Sequence, residues 1–72
     1  MNRQYIITFS FMGVPIGGHG SARLRLGDRI EVFNCNKDAV WFRFQGKEYT
    51  IDPRTFAHSV REAQGLFMRA QQ

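Results

Sequence analysis

The chain has 72 residues, with ten lysines and arginines against six aspartates and glutamates, and a net charge of +4. This length allows one domain over residues 1–72 and makes a deep, dry catalytic cleft hard to build. With 43% hydrophobic and 14% aromatic residues, the chain does not have the composition of a disordered protein. The basic balance predicts attraction to polyanions or to acidic protein surfaces.

Residues 4–12 alternate between apolar and mixed positions, which predicts a first strand. Its strongly apolar face carries Tyr5, Ile7, Phe9 and Phe11. Residues 13–20 hold four glycines and a proline, so we expect a turn or a flexible loop there. This stretch lacks the Gly-Lys-Ser/Thr ending of a phosphate-binding loop.

Four further strands are predicted over residues 21–26, 29–35, 39–45 and 48–52, separated by polar or glycine-containing turns. The inward positions are Ala22, Leu24, Leu26, Ile30, Val32, Val40, Phe42, Phe44, Tyr49 and Ile51. Trp41 and Arg43 then lie on the outer side of their strand. An alternative places Trp41 in a second core beneath a helix, with Phe42 partly exposed.

A helix is expected after Asp52-Pro53, because aspartate is a good N-cap and proline suits the first helical position. The apolar stripe of this helix is Phe56, Val60, Ala63 and Phe67, and Gly65 ends or kinks it. The fold class is therefore α+β, a small five-stranded antiparallel sheet or partly open barrel followed by a C-terminal helix. The run Leu26 to Val32 resembles the entry to a strand in SH3-like barrels.

The chemistry-bearing residues are scattered along the chain, and we expect no catalytic residues, no metal site and no cofactor. The aspartates lie in turns or at a cap, and the two histidines do not have metal-ligand spacing. The one cysteine, Cys35, has no base paired with it by spacing. Since no catalytic motif is present, we expect a protein that is not an enzyme. The N-terminal stretch is too short and too polar for a signal peptide or a membrane span, so we expect a cytoplasmic protein.

The outward side chains are the candidates for partner binding: Arg23, Arg25, Trp41 and Arg43. Arginine and tryptophan are enriched at the energetic centres of protein interfaces. The alternation puts Arg23 and Arg25 on one face, and we expect Arg29 to neighbour them on the next strand. Arginines on an exposed strand also serve simply to solvate it and protect its edge.

In size, basicity and strand-rich, helix-ended layout, the chain resembles the small phage-encoded regulators that bind bacterial RNA polymerase. That resemblance implies a protein that occupies a polymerase surface, excludes the sigma factor and inhibits or modulates transcription. We expect the protein to be a monomer. Two alternatives use the same residues differently. One is an SH3-like or OB-like nucleic-acid-binding module, in which cations meet phosphate and an aromatic ring stacks on bases. The other is an accessory subunit, with the apolar clusters Phe9/Phe11/Met12 and Leu66/Phe67/Met68 completing an interface.

Overall fold

A computed structural model describes residues 3–18 and 20–62. This part of the chain contains seven strands and one short helix. In chain order they are β1 (Arg3–Ile7), β2 (Phe11–Pro15), β3 (Ala22–Leu24), β4 (Arg29–Cys35), β5 (Val40–Phe44), β6 (Lys47–Ile51), α1 (Pro53–Ser59) and β7 (Val60–Glu62). Two strands are added to the five that were predicted, because residues 4–12 divide into two strands and Val60–Glu62 form another.

The strands make one antiparallel sheet in the order β3-β2-β6-β5-β4-β1-β7. In this order β1 and β2 lie four places apart, which in a flat sheet would separate them by about 19 Å. Along the chain only residues 8–10 join Ile7 to Phe11, and they span at most about 14 Å when extended. The sheet therefore has to curl, and it forms a half-barrel around a single core.

The predicted first strand is interrupted because the chain bends at residues 8–10. The backbone amides of Thr8 and Phe9 both donate to the carbonyl of Ser59, at 2.7 and 3.2 Å. Consecutive amides in a regular strand point to opposite edges, so two donors on one acceptor mark a break in the ladder. The expectation that Phe9 points inward is wrong for this reason, since its side chain is 69% exposed.

The core lies on the concave face of the half-barrel. Its buried members come from six strands: Ile7, Phe11, Leu24, Ile30, Phe42 and Tyr49. Phe42 stacks on Tyr49 with ring centroids 5.7 Å apart and meets the edge of Phe11 at 6.0 Å. Gly13 of β2 lies against this stack, where a Cβ atom would come within 3.1–3.2 Å of Phe42 and Tyr49. Strand β2 runs to Pro15, three residues into the stretch expected as a loop.

The hairpins follow the local signals closely. Gln45 and Gly46 connect β5 to β6 with φ angles of 52° and 80°, the two positive values that a type I′ turn requires. Between β4 and β5, the Asn36 side chain accepts the backbone amides of Asp38 and Ala39. The register of this pair shifts between Val32 and Asn34, which marks a β-bulge at Phe33.

Helix α1 begins where the sequence predicts. Asp52 is its N-cap and accepts the Thr55 amide at 2.9 Å, and Phe56 packs edge-on against Tyr5 of β1 with centroids 5.0 Å apart. The helix ends after Ser59, earlier than the predicted stripe requires. Val60 is extended and pairs with Ile7, because the free edge of β1 offers ladder hydrogen bonds to the chain. Ala63, Gly65 and Phe67 lie outside the described residues.

Candidate interaction surface

The outer face of the sheet is the convex side, opposite the core. At its centre Arg43 of β5 lies between two carboxylates, with Nη1 at 3.4 Å from Glu31 of β4 and Nη2 at 3.1 Å from Glu48 of β6. Its guanidinium carbon also lies 5.0 Å from the centre of the Phe33 ring, a cation–π contact. The charge of Arg43 is therefore neutralised within the sheet, and its geometry fits a role in joining three strands.

Trp41 lies on this outer face, half-buried, with Asn34 and Thr50 as its register neighbours. Phe42, the next residue, is fully buried on the other side. The alternative that placed Trp41 in a core beneath the helix is therefore wrong, because α1 packs on the concave side through Phe56 and Tyr5. Beyond Thr50, Val14 of β2 continues the row and is 55% exposed.

Arg23 and Arg25 lie away from the Trp41 and Arg43 pair. Arg23 is on β3, opposite Met12, and three strand spacings, roughly 14 Å, separate β3 from β5. Arg25 follows β3 and lies outside the regular ladder. Arg29 does not neighbour Arg23, because β4 pairs with β5 and β1 and not with β3, whereas only the turn of residues 25–28 separates it from Arg25. The structure thus brings Trp41 and Arg43 together and leaves Arg23 and Arg25 elsewhere.

A second feature is the corner, which we define as residues 8–10 and 25–28 between two ladders. The β1–β4 ladder pairs Ile6 with Arg29, and the β2–β3 ladder pairs Phe11 with Leu24. Four residues separate these pairs on each strand. The ladder is irregular between them, because Ile7 donates to Asp28 but accepts from Gly27. Phe9 and Leu26 therefore lie at the same corner without being partners in a regular ladder.

Both of these apolar side chains are exposed. Phe9 is 69% exposed and Leu26 is 75% exposed, the highest values among large hydrophobic residues in the described part of the chain. The expectation that Leu26 points inward is therefore wrong. Its strand ends at Leu24, and the following turn is held by the Asp28 carboxylate accepting the Arg25 amide at 2.8 Å. Gly27 donates to the Ile7 carbonyl at 2.8 Å, which ties this turn to the end of β1.

Three exposed arginines lie in the corner or next to it along the backbone. Arg29 and Arg61 both pair with Ile6, one on each side, and Arg25 lies in the corner itself. Within residues 3–18 and 20–62, none of these three guanidinium groups forms an ion pair. The one carboxylate in the turn is that of Asp28. The corner thus presents apolar surface beside positive charge, a combination suited to binding another macromolecule.

A cleft of about 310 Å³ lies at the other end of β1 and β4. It is lined by Arg3, Tyr5, Val32, Phe33, Asn34 and Cys35. Arg3 is engaged with Glu62 at 3.2 Å, and Tyr5 is packed on Phe56. Cys35 is exposed, and no histidine or lysine lines this cleft beside it. The residues that line the cleft include no carboxylate.

Sequence reasoning missed the corner because strand alternation assigns Phe9 and Leu26 to the core. The signal that was available is the Gly27-Asp28 turn directly after Leu26, which separates that residue from a continuous strand. No comparable signal marks Phe9, since the bend at residues 8–10 depends on a carbonyl some fifty residues later in the chain, that of Ser59.

Comparison of the chain with protein-family models finds no match, and comparisons with curated proteins and with solved structures likewise find none. Over the described residues, no helix has the length and apolar character needed to cross a membrane.

Proposed function

We propose that the chain is a small protein-interaction module that binds bacterial RNA polymerase and inhibits or modulates transcription. The observation that carries the binding role is the corner, where Phe9 and Leu26 are exposed beside three arginines that have no ion pair in the described chain. The choice of polymerase is supported by the resemblance in size, basicity and layout to phage-encoded regulators. The proposal includes a monomeric, cytoplasmic protein without catalytic activity.

A protein partner is favoured over nucleic acid by the kind of apolar surface exposed. Of the two exposed large hydrophobic residues at the corner, Phe9 is aromatic and Leu26 is aliphatic. Nucleic-acid platforms use flat aromatic rings on which bases stack, and an aliphatic side chain offers no such face. Exposed aliphatic and aromatic groups together are typical of surfaces that meet another protein.

The mechanism follows from competition between states of the polymerase. A bound module shifts an equilibrium only as far as its affinities for two states differ. A regulator that occupies the surface used by the sigma factor binds the core enzyme better than the sigma-loaded enzyme. It lowers initiation without cleaving or modifying any group.

Nucleic-acid binding by an SH3-like or OB-like half-barrel is the second candidate. The observation that favours it is the pairing of one exposed aromatic ring, Phe9, with the arginines of the corner. Cations that meet phosphate release counterions, so such binding weakens steeply as salt rises.

Affinity capture with the tagged protein from a bacterial lysate tests the proposal, using nuclease treatment and a salt series. Recovery of polymerase subunits after nuclease supports it, and an in vitro transcription assay then measures inhibition. Arg29→Glu reverses a charge at the corner, and Arg54→Glu makes the same change on α1 as a matched control. We expect Arg29→Glu to reduce capture more than Arg54→Glu. Recovery of nucleic acid alone, lost with nuclease, contradicts the proposal.

A further inference from the structure

The exposure of Phe9 and Leu26 is unusual because both occupy sequence positions that alternate with core residues. Ile7 and Phe11 flank Phe9 at two-residue spacing and are buried, as is Leu24 two residues before Leu26. If the strands continued without a break through residues 8–10 and 25–28, their alternation would point Phe9 and Leu26 into the core. The structure instead exposes both side chains at the corner, where the regular pairing of the two ladders is interrupted.

Backbone hydrogen bonds hold this corner in place from three segments. Ile7 donates to Asp28 at 2.8 Å, Gly27 donates to Ile7 at 2.8 Å, and both Thr8 and Phe9 donate to Ser59. Such preorganised backbone lowers the entropy lost on binding. The exposed side chains of Phe9 and Leu26 thus lie on backbone that is held by hydrogen bonds.

The charge around the pair decides the chemistry of the partner. Arg25, Arg29 and Arg61 contribute three positive charges, and Asp28 contributes one negative charge that is engaged by the Arg25 amide. Glu62, the next nearest acid along β7, is bound by Arg3. The unpaired charge is therefore positive, and a complementary partner is acidic.

We propose that the corner docks an acidic segment of the protein partner, with an apolar side chain of that segment covering Phe9 and Leu26 and its carboxylates meeting Arg25, Arg29 and Arg61. This inference rests on the proposed function and names the surface and the partner chemistry that carry it. Trp41 and Arg43 lie outside this docking surface. A second copy of the chain and single-stranded nucleic acid are the competing occupants.

The test uses the full-length protein and a short fluorescein-labelled peptide of glutamate and serine with two central leucines. Three comparison probes have matched length: the peptide with serine replacing leucine, the peptide with lysine replacing glutamate, and single-stranded oligothymidylate. Fluorescence anisotropy measures affinity, and amide chemical shifts of the isotope-labelled protein locate binding. Sedimentation of the protein alone measures self-association.

We expect saturable binding of the acidic leucine peptide, weaker binding of both altered peptides, and shifts concentrated at residues 8–10, 25–29 and 60–61. Phe9→Ser and Leu26→Ser should each weaken binding about tenfold or more, as loss of an interface anchor does. Met12→Ser and Val14→Ser remove exposed apolar groups from the outer face and serve as matched controls, with less than about twofold change. Both corner residues are exposed, so their variants should keep the wild-type spectrum.

Several results overturn the inference: no saturable binding up to about 1 mM peptide, shifts centred on Trp41 and Arg43, tighter binding of oligothymidylate, or self-association abolished by Phe9→Ser. The two proposals fail separately. If the Phe9→Ser and Leu26→Ser variants still capture polymerase like the wild type, the docking surface is wrong and the proposed function stands. If the wild type captures no polymerase while the peptide binds at the corner, the partner is wrong and the docking surface stands.

Discussion

Replacing Arg43 with glutamine tests whether this residue holds the sheet together or binds a partner. The change keeps most of the aliphatic stem and removes the charge. It loses two half-exposed ion pairs, at 3.1 and 3.4 Å, each contributing about 0.2–1 kcal/mol. It also loses the contact with the Phe33 ring, about 0.5–1 kcal/mol at an exposed site. We expect a loss of about 1.5 kcal/mol in the free energy of unfolding.

Thermal unfolding followed by circular dichroism measures this effect. For a domain of this size, 1 kcal/mol corresponds to about 4–8 °C, so the melting temperature should fall by about 6–12 °C. Arg23→Gln is the matched control, because Arg23 is exposed on β3 and has no ion pair among the described residues; its effect should stay within about 0.5 kcal/mol. In 1 M salt the difference between the two variants should shrink, since ion pairs at this exposure are screened.

A melting temperature for Arg43→Gln equal to that of Arg23→Gln would refute this reasoning. Loss of polymerase capture in the same variant, with stability unchanged, would place Arg43 in the interface as the sequence predicts. Combined alanine substitutions at Trp41 and Arg43 that leave folding and capture unchanged would exclude both residues from partner binding.

Four further substitutions test three parts of the fold: the core, the hairpin turn and the helix cap. Phe42→Ala removes a fully buried ring and should lower the free energy of unfolding by about 3–5 kcal/mol, which is comparable to the whole stability of so small a domain. The variant should therefore give the circular dichroism spectrum of a largely unfolded chain at 25 °C. A cooperative melt near that of the wild type would contradict the placement of Phe42 in the core. Gln45→Asn should raise the free energy of unfolding by up to about 1 kcal/mol and Gly46→Ala should lower it by about 1 kcal/mol, because both positions have positive φ in the type I′ turn. Denaturant titration measures both effects. Equal unfolding midpoints for the two variants would exclude that turn. Hydrogen bonds from Thr55, first from its backbone amide and then from its side chain, hold the pKa of Asp52 below its ordinary value of 3.8. A lowered folded-state pKa means that the carboxylate stabilises α1 above the unfolded pKa and that this contribution is lost as pH falls through the folded value. Asp52→Ala should therefore melt below the wild type at pH 7, with the difference closing in strong acid, whereas a constant difference across this range would exclude the charged cap.

Much of the fold could be predicted from local pattern because the causes are local. The period-two alternation of a strand assigns neighbouring side chains to opposite faces, and it places Phe42 inward and Trp41 outward correctly. The hairpin at Gln45-Gly46 and the helix start at Asp52 depend on residues adjacent in the chain, and both are confirmed. The outward position of Arg43 was equally available from alternation.

The neighbours of these residues across the sheet depend on strand order, which local pattern does not contain. The ion pairs of Arg43 require β4, β5 and β6 to lie side by side, and Arg23 is separated from it because β3 pairs with β2 instead. Alternation can therefore predict that Arg23, Arg25, Trp41 and Arg43 all point outward, but it does not show that Arg23 and Arg25 lie far from Trp41 and Arg43.

The amino-acid sequence by itself determined strands β3 to β6, their inward faces, the tight turn and the helix cap, since each arises from backbone preferences and side-chain spacing over a few residues. Only the tertiary structure decided that Phe9 and Leu26 face solvent and that Val60 joins a strand. The bend at residues 8–10 is held by the distant Ser59 carbonyl, and the extended state of Val60 is stabilised by the open edge of β1. Hydrogen bonds between segments remote in sequence outweigh the local alternation at these positions, and they create the corner proposed as the docking surface.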